Sequence, residues 1–305
     1  SRSSASGCVA GDVFCGLGGW TWALQLAGYS PRWGMDNHRS RLLLHAANHP
    51  GCATVLGDVQ EHRRAAQQVS ELGLAPLWAT SPPCQGYVTM NPADPRRRLT
   101  VDSVKMFLAA EPRPSVLVLE NVRRIFKPRP QPELKHAMEL LEAAGYTCHC
   151  GLLVASWLGL PYMRERFFLI AVARGSGIEC NLRQRLAAAR ASAARTAKPT
   201  LAEEWGDGCY AVAPHSRDRK GKDGLQRWVR TTAQCGLSLR KSMGRLPPRH
   251  RFREAELDDG PLRPEDLLQP RDLLHLSGIP ENAYLPVERE ETFQVTANLV
   301  VPIMG

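Results

Sequence analysis

The sequence predicts an α/β chain, a doubly wound mixed sheet with a smaller second region placed late. Three observations carry this. A short apolar strand from Val9 to Phe14 runs through a glycine-rich turn into a helix, which is the first unit of a doubly wound sheet. Apolar runs at Arg32 to Met35, Thr54 to Gly57, Leu77 to Thr80 and Ser115 to Leu119 recur with helical stretches between them. At Arg174 the texture changes to Ala-Arg-rich sequence and then to Gly- and basic-rich sequence through about Pro264.

The first strand ends in Cys15-Gly16-Leu17-Gly18-Gly19, and Trp20 to Ala27 reads as a helix stopped by Gly28. Such glycines let a ligand approach the backbone, although the turn does not match G-x-G-x-x-G. The second strand ends at Asp36, about twenty residues on, where an acidic group meets ribose hydroxyls in nucleoside-binding folds. Ser40 to Asn48 reads as a helix with an apolar face, and the third strand ends at Asp58. Three strand ends on one edge of a parallel sheet make a nucleoside pocket, because ligands bind outside the carboxyl ends of strands.

The fourth strand stops at Pro82-Pro83, which cannot continue a central strand, and delivers Cys84-Gln85-Gly86 on a stiff turn. Tyr87 to Leu99, with Arg96-Arg97-Arg98, reads as a mobile loop suited to closing over a pocket. Val101 to Ala110 is a helix. The near-continuous apolar run Ser115 to Leu119 reads as a buried parallel strand ending in Glu120-Asn121-Val122. A carboxyl at the end of so apolar a strand is expected to be desolvated, with a raised pKa that favours the protonated form, fit for a general acid. Pro132 to Ala144 is an amphipathic helix, and Tyr146 to Ser156 and Phe167 to Ala173 are strands at the far edge of the sheet. Between them Arg164 and Arg166 alternate, sharing a face on an extended chain. Leu182 to Arg195 and Leu267 to Leu276 read as helices.

Composition bounds the function. The 305 residues leave room for one large α/β domain and a smaller one, and 43% hydrophobic residues support a sizeable core. No apolar run reaches membrane-spanning length, so no membrane partner is expected. Residues 1–7 read as a linker or the edge of a longer protein with additional domains. The nine cysteines are scattered, which fits reduced thiols inside a cell better than a disulfide framework. Cys148-His149-Cys150 lacks a second ligand pair at zinc spacing and reads as alternating strand residues, so no metal site is expected. Net charge is +9, and from Arg217 to Arg253 there are 12 basic and 2 acidic residues. That excess, with Trp228 and Phe252 interleaved, suits a polyanion. The expected organisation is a catalytic region at residues 8–174 and 266–305 around a recognition region at 175–265.

Taken in order, these motifs resemble the cytosine-5 DNA methyltransferase family from Asp12 to Pro302, apart from the basic middle block. Asp12 to Gly19 is similar to the family's cofactor motif, Pro82-Pro83-Cys84-Gln85-Gly86 to its nucleophile motif and Glu120-Asn121-Val122 to its Glu-Asn-Val motif. Arg164-Glu165-Arg166 resembles the end of its Gln-x-Arg-x-Arg motif. Pro270 to Pro280 resembles the scaffold motif after the recognition region, and Gln294 to Val300 the final Gln-x-Gly-Asn-x-Val motif. Five positions depart: Asp36 for Glu, Tyr162 for Gln, Ala297 for Gly, and Tyr87-Val88 for Phe-Ser.

The resemblance implies a Rossmann-like class I methyltransferase fold and S-adenosylmethionine as cofactor, with S-adenosylhomocysteine as product. The implied cofactor site is Phe14 on adenine, Asp36 on ribose and Asp58 on the adenine amine, with Cys15, Gly16, Leu17, Gly18, Gly19, Pro82, Asn298 and Val300. It also implies that Cys84 adds to carbon 6 of a flipped cytosine in double-stranded DNA, with Glu120 donating to ring N3 and Arg164 and Arg166 supplying positive charge. Gln85, Arg96, Arg97, Arg98, Arg240, Lys241 and Arg245 are the expected nucleic-acid contacts. A nuclear location is expected in a eukaryote and a cytoplasmic one in a bacterium. Two rival readings share the fold. One is a transfer-RNA cytosine-5 methyltransferase, in which Ser81 before Pro82 is also seen. The other is a nucleic-acid-binding regulator with weak or no catalysis.

Overall fold

The structure is a computed structural model that describes residues 8–89, 91–160, 162–195, 209–211, 229–231, 236–237, 279–280 and 282–286. In chain order the elements are β1 (Val9–Val13), α1 (Gly19–Leu26), β2 (Ser30–Asp36), α2 (Arg39–Asn48), β3 (Ala53–Leu56), α3 (His62–Ser70) and β4 (Leu77–Thr80). There follow α4 (Gln85–Val88), α5 (Leu99–Leu108), β5 (Val116–Val122), α6 (Pro132–Ala143), β6 (Tyr146–Val154), β7 (Tyr162–Met163), β8 (Glu165–Ala173) and α7 (Leu182–Arg195). The chain divides into two compact units. The described residues of the first lie within 8–153 and 165–190; those of the second lie within 154–164 and 191–286.

The first unit is built on a seven-stranded sheet of order β3-β2-β1-β4-β5-β8-β6. Neighbours from β3 to β5 pair in parallel, and β5 pairs antiparallel with β8. The mixed, doubly wound sheet is therefore the fold that the sequence predicts. Strand order reverses between β1 and β4, and a crevice opens at the carboxyl ends of strands at such a switch point. Because β8 runs backwards, its amino end joins the carboxyl ends of β1, β2, β4 and β5 on that edge.

A row of aromatic rings runs through the core. Trp33 meets Trp78 edge to face at 4.9 Å, Trp78 meets Phe107 at 5.7 Å, and Phe107 meets Tyr146 at 5.3 Å. Gly11 of β1 makes room for this row: a Cβ there would lie 2.1 Å from the Trp33 ring. Tyr146 also donates its hydroxyl to the Pro114 carbonyl at 2.6 Å. Helix α3 has no counterpart in the sequence reading. Its Ala65, Ala66 and Val69 are fully buried, and His62 bonds Asp102 of α5 at 3.0 Å.

Three further strands are short. β9 (Cys209–Ala211) pairs antiparallel with β10 (Val229–Thr231), and β11 (Gly236–Leu237) pairs in parallel with β7. All four belong to the second unit. The expected helix at Leu267 to Leu276 lies outside the described residues. Among the described residues, no helix is long and apolar enough to cross a membrane.

Candidate active site

The glycine turn after β1 is shaped by backbone sterics. Gly16 and Gly18 take φ of +53° and +100°, and among the described residues Phe14 is the one non-glycine residue at positive φ, +61°. A Cβ built on Gly16 would meet nothing within 4 Å, so a ligand has room to lie on this backbone. Asp36, at the end of β2, reaches into the turn. Its Oδ2 accepts from the Gly16 N–H at 3.2 Å and its Oδ1 from the His38 N–H at 3.0 Å, with Arg41 at 3.7 Å. Burial pushes the Asp36 carboxyl above its ordinary pKa; Arg41 and the two N–H donors pull it back. The short aspartate arm thus reaches the turn. Asp58 is half-buried and folds onto its own backbone, accepting from the Gln60 N–H at 2.9 Å.

Beneath the turn lies a buried polar network that the sequence reading missed. Asp12 Oδ2 accepts from the Thr21 N–H at 3.1 Å and from the Thr21 hydroxyl at 2.9 Å, which ties the start of α1 to β1. The Thr21 hydroxyl in turn meets His45 Nε2 at 3.0 Å, and the His45 and His49 rings lie 4.8 Å apart. Burial pushes Asp12 up to about 7 and presses His45 down to about 3 and His49 to about 4. The Cys15 thiol in the same turn is also pushed up by burial, so it is an inert member of the wall.

Across the switch point, β4 and β5 carry the candidate reactive groups, Cys84 and Glu120. Thr80 pairs with Leu119, so the Pro82-Pro83-Cys84 turn and Glu120 leave adjacent strands at the same edge. The Asn121 side-chain amide donates to the Pro82 carbonyl at 3.0 Å and fixes that turn. Trp20 donates its indole N–H to the Ser81 hydroxyl at 2.7 Å, joining α1 to the same turn. Glu120 sits inside β5, not after it, because β8 continues the pairing to Val122. Arg166 stands opposite Val122, and its Nε meets Glu120 Oε1 at 2.9 Å, both side chains being mostly buried. The expected burial of Glu120 is present. A guanidinium faces the carboxyl there, a partner that the apolar strand alone does not announce.

Cys84 is half-buried and has helical backbone angles at the head of α4. The stretch after it differs from the expected mobile loop. Tyr87 and Val88 lie in α4, and residues 95–98 form a 3-10 turn that runs into α5. Tyr87 is buried and its hydroxyl donates to the Arg97 carbonyl at 3.1 Å. Arg97 is buried too, its guanidinium on Glu133 at 2.8 and 2.9 Å and on Gln131 at 3.0 Å. It is therefore not placed to meet phosphate: of the three consecutive arginines, one turns inward because a 3-10 turn points successive side chains about 120° apart. Arg96 and Arg98 are exposed. Gln85 keeps its Oε1 buried without a hydrogen-bond partner. Arg164 is buried and belongs to the second unit, where its carbonyl accepts from the Ala155 N–H at 2.8 Å. Asn298, Val300, Arg240, Lys241 and Arg245 lie outside the described residues.

Cys148 and Cys150 alternate on β6, and burial pushes their thiols up to about 12 and about 11. Among the described residues no group of three or more His, Cys, Asp or Glu side chains is placed to hold a metal ion. A groove of about 720 Å³ between Thr147, Arg174, Glu179 and Arg183 opens at the other end of the sheet, where Val172 pairs with the start of β5. It holds none of the groups just described.

Residues 9–303 match the sequence model of the family described as C-5 cytosine-specific DNA methylase. The chain belongs to that family. Among curated DNA methylase relatives it is 28% identical over 179 residues to the DNA (cytosine-5)-methyltransferase PliMCI of Paracentrotus lividus, covering 54% of this chain and 11% of that protein. It is 30% identical over 183 residues to the type II methyltransferase M.HgiDI of Herpetosiphon aurantiacus, covering 58% and 56%. The match thus spans about a tenth of one relative and about half of the other. The S. pombe Dnmt2 methyltransferase has the same fold, with a TM-score of 0.69 over 97% of this chain and 95% of that one at 16% identity.

Proposed function

We propose that this chain transfers a methyl group from S-adenosylmethionine to carbon 5 of cytosine in DNA, through a covalent adduct of Cys84. One juxtaposition carries the reading. The Cys84 turn and the Glu120–Arg166 pair leave adjacent strands at one edge, joined by the Asn121–Pro82 hydrogen bond, beside the glycine turn that Asp36 closes.

The residues of the turn fit the cofactor. The open space over Gly16, the half-exposed Phe14 ring and the buried Asp36 carboxylate suit a nucleoside lying on backbone, with Asp58 at the next strand end. When bound, S-adenosylmethionine supplies an electrophilic methyl group. The protein's own groups do the rest. The Cys84 thiolate adds to carbon 6 of the ring, and the ring's electrons are drawn toward N3. Glu120 is placed to share a proton with N3, and Arg166, held on Oε1, keeps the carboxyl oriented and leaves Oε2 uncommitted to that bond. Carbon 5, now enamine-like, accepts the methyl group. Loss of the carbon 5 proton to a base then expels the thiolate and restores the ring. The target carbon is out of reach in a duplex, so the base must leave the stack at a cost of a few kcal/mol. Gln85 follows the nucleophile directly, and the exposed Arg96 and Arg98 of the same segment are available to hold the strand.

The test is incubation of the full chain with labelled S-adenosylmethionine and either duplex DNA or transfer RNA, with 5-methylcytosine read by mass spectrometry. Label in DNA, lost by roughly three orders of magnitude or more in Cys84→Ser while DNA binding persists, is the expected result. Label in RNA alone overturns the DNA assignment. Product from the serine variant at the wild-type rate overturns the covalent step.

A further inference from the structure

Three successive residues lock the first turn of α1 in three directions. Thr21 ties it to Asp12 of β1, the Trp22 ring lies 4.6 Å from the His49 ring, and Trp20 reaches across to the end of β4. Successive helical side chains point about 100° apart, so each serves a different neighbour. Trp20 follows the glycine turn directly and is buried. Its indole N–H donates to the Ser81 hydroxyl at 2.7 Å. Its ring also meets Phe168 edge to face, with centroids 6.3 Å apart, and Phe168 is the register partner of Glu120. One side chain beside the glycine turn therefore touches both the strand end that leads to Cys84 and the strand that pairs with Glu120.

A buried indole needs an acceptor. The acceptor it has here is separated from Cys84 only by Pro82 and Pro83. Each proline fixes its own φ and confines the residue before it to extended backbone, so Ser81-Pro82-Pro83 is a stiff rod. A shift at Ser81 is passed on to Cys84 and not absorbed between them. The rod is held at two points. The Pro82 carbonyl is held by Asn121, next to Glu120 on β5, and Ser81 is held by Trp20. The β1–β4 ladder runs only as far as Val13 and Thr80. Beyond that row the glycine turn and the Cys84 turn depend on side chains for their spacing, and the Trp20–Ser81 hydrogen bond spans them.

We propose that Trp20 and Ser81 are positioning residues for methyl transfer: their hydrogen bond holds the Cys84 turn at a fixed spacing from the glycine turn. This rests on the reading of the glycine turn as the cofactor's seat and of Cys84 as the nucleophile. A ring bonded to Cys84 and a methyl donor lying on the glycine turn must meet in a near-attack geometry, and a misplacement of about 1 Å costs about 10²-fold in rate. The pair makes and breaks no bond of the substrate; it sets the distance at which others do.

The experiment has two arms, both on the full chain. The first is iodoacetamide alkylation without cofactor or DNA, with the half-buried Cys84 and the buried Cys52 followed separately by peptide mass spectrometry. Trp20→Phe keeps a ring and loses the donor; Ser81→Ala loses the acceptor. Each is expected to raise the Cys84 rate several-fold and to leave Cys52 unchanged. The double variant goes no further, because either change breaks the same bond. Ser81→Thr, which keeps a hydroxyl, stays near the wild-type rate. An unmoved Cys84 rate in both single variants, an equal rise at Cys52, or additive effects in the double variant overturns the proposal. The second arm is methyl transfer to duplex DNA. Trp20→Phe and Ser81→Ala are expected to lower kcat by about 10- to 100-fold with KM for S-adenosylmethionine within about threefold, and Ser81→Thr recovers most of the loss. Circular dichroism confirms the fold of each variant, and Ser81→Ala, at a half-buried turn position, keeps the test open if Trp20→Phe does not fold. Faster Cys84 alkylation in variants of a chain that makes no 5-methylcytosine leaves the bond's hold on the turn standing and the functional reading fallen. Production of 5-methylcytosine at an unchanged rate in both variants leaves the functional reading standing and overturns the positioning role.

Discussion

Asp12 offers a prediction in which the sign is as informative as the size. The residue is fully buried, with one carboxylate oxygen on Thr21 and the other without a partner. Burial raises its pKa from 3.8 in the unfolded chain to about 7, with Asp36 adding a smaller repulsion. Between those two values the folded protein holds a proton that the unfolded chain has given up. Stability from this group is therefore fully present below the unfolded value and is lost as pH rises through the folded one, at ~1.4 kcal/mol per pH unit. Asp12→Asn removes that linkage and nothing else that titrates. The stability of the variant minus that of the wild type should then climb by ~1.4 kcal/mol per unit between those values and by half that slope at the folded pKa, about 2 kcal/mol in all from pH 5 to pH 7. Other titrating groups cancel in the difference, including His45 and His49, whose depressed pKa values act with the opposite sign. Urea unfolding of both proteins across that range is the assay. Parallel stability curves would show that Asp12 is ionised when folded, and the account of the network under the glycine turn would fall.

Two further outcomes test the site. Arg166→Ala should cost roughly 3 kcal/mol in urea unfolding because it leaves the buried Glu120 without its cation, and adding Glu120→Gln should return more than ~1 kcal/mol; strictly additive losses would mean the pair does not interact. Gly18→Ala should destabilise by about 2 kcal/mol or more, since φ is +100° and the new Cβ would lie 2.0 Å from His49 Nε2; an unchanged melting temperature would show that the turn does not need glycine there.

What the sequence disclosed follows from which forces act locally. Short apolar strands, glycine turns and proline stops are set by neighbours along the chain. The order β1 to β5, and Cys84 and Glu120 at successive strand ends, could therefore be read in advance. The partners of charged groups could not. Arg96, Arg97 and Arg98 are identical in composition and adjacent in sequence, and what separates their fates is Glu133, 36 residues further on. Trp20 and Ser81, 61 residues apart, look like core and turn until the fold brings them to 2.7 Å. Polar content around 87–99 resembled a loop because buried polar groups with partners look, residue by residue, like solvated ones. Helix α3 escaped because only Ala65, Ala66 and Val69 mark its inner face, too small a stripe among polar neighbours to announce a helix.

The positions that depart from the family's usual residues are where the fold adds information. Asp36 replaces a longer acid, yet its carboxylate still reaches the glycine turn, where it accepts from the Gly16 N–H at 3.2 Å. Tyr87 replaces a ring without an oxygen, and that oxygen is bonded on both sides inside the core. A residue drifting without function would be expected to leave such a hydroxyl buried and unpaired, at a cost of about 1–3 kcal/mol. Here the substitution comes with Thr100, Arg97 and Glu133 already arranged around it, three residues along the chain from Cys84. These two departures are therefore accommodated by the fold around them, as the proposed methyl transfer requires of the turn at Gly16 and of the segment after Cys84.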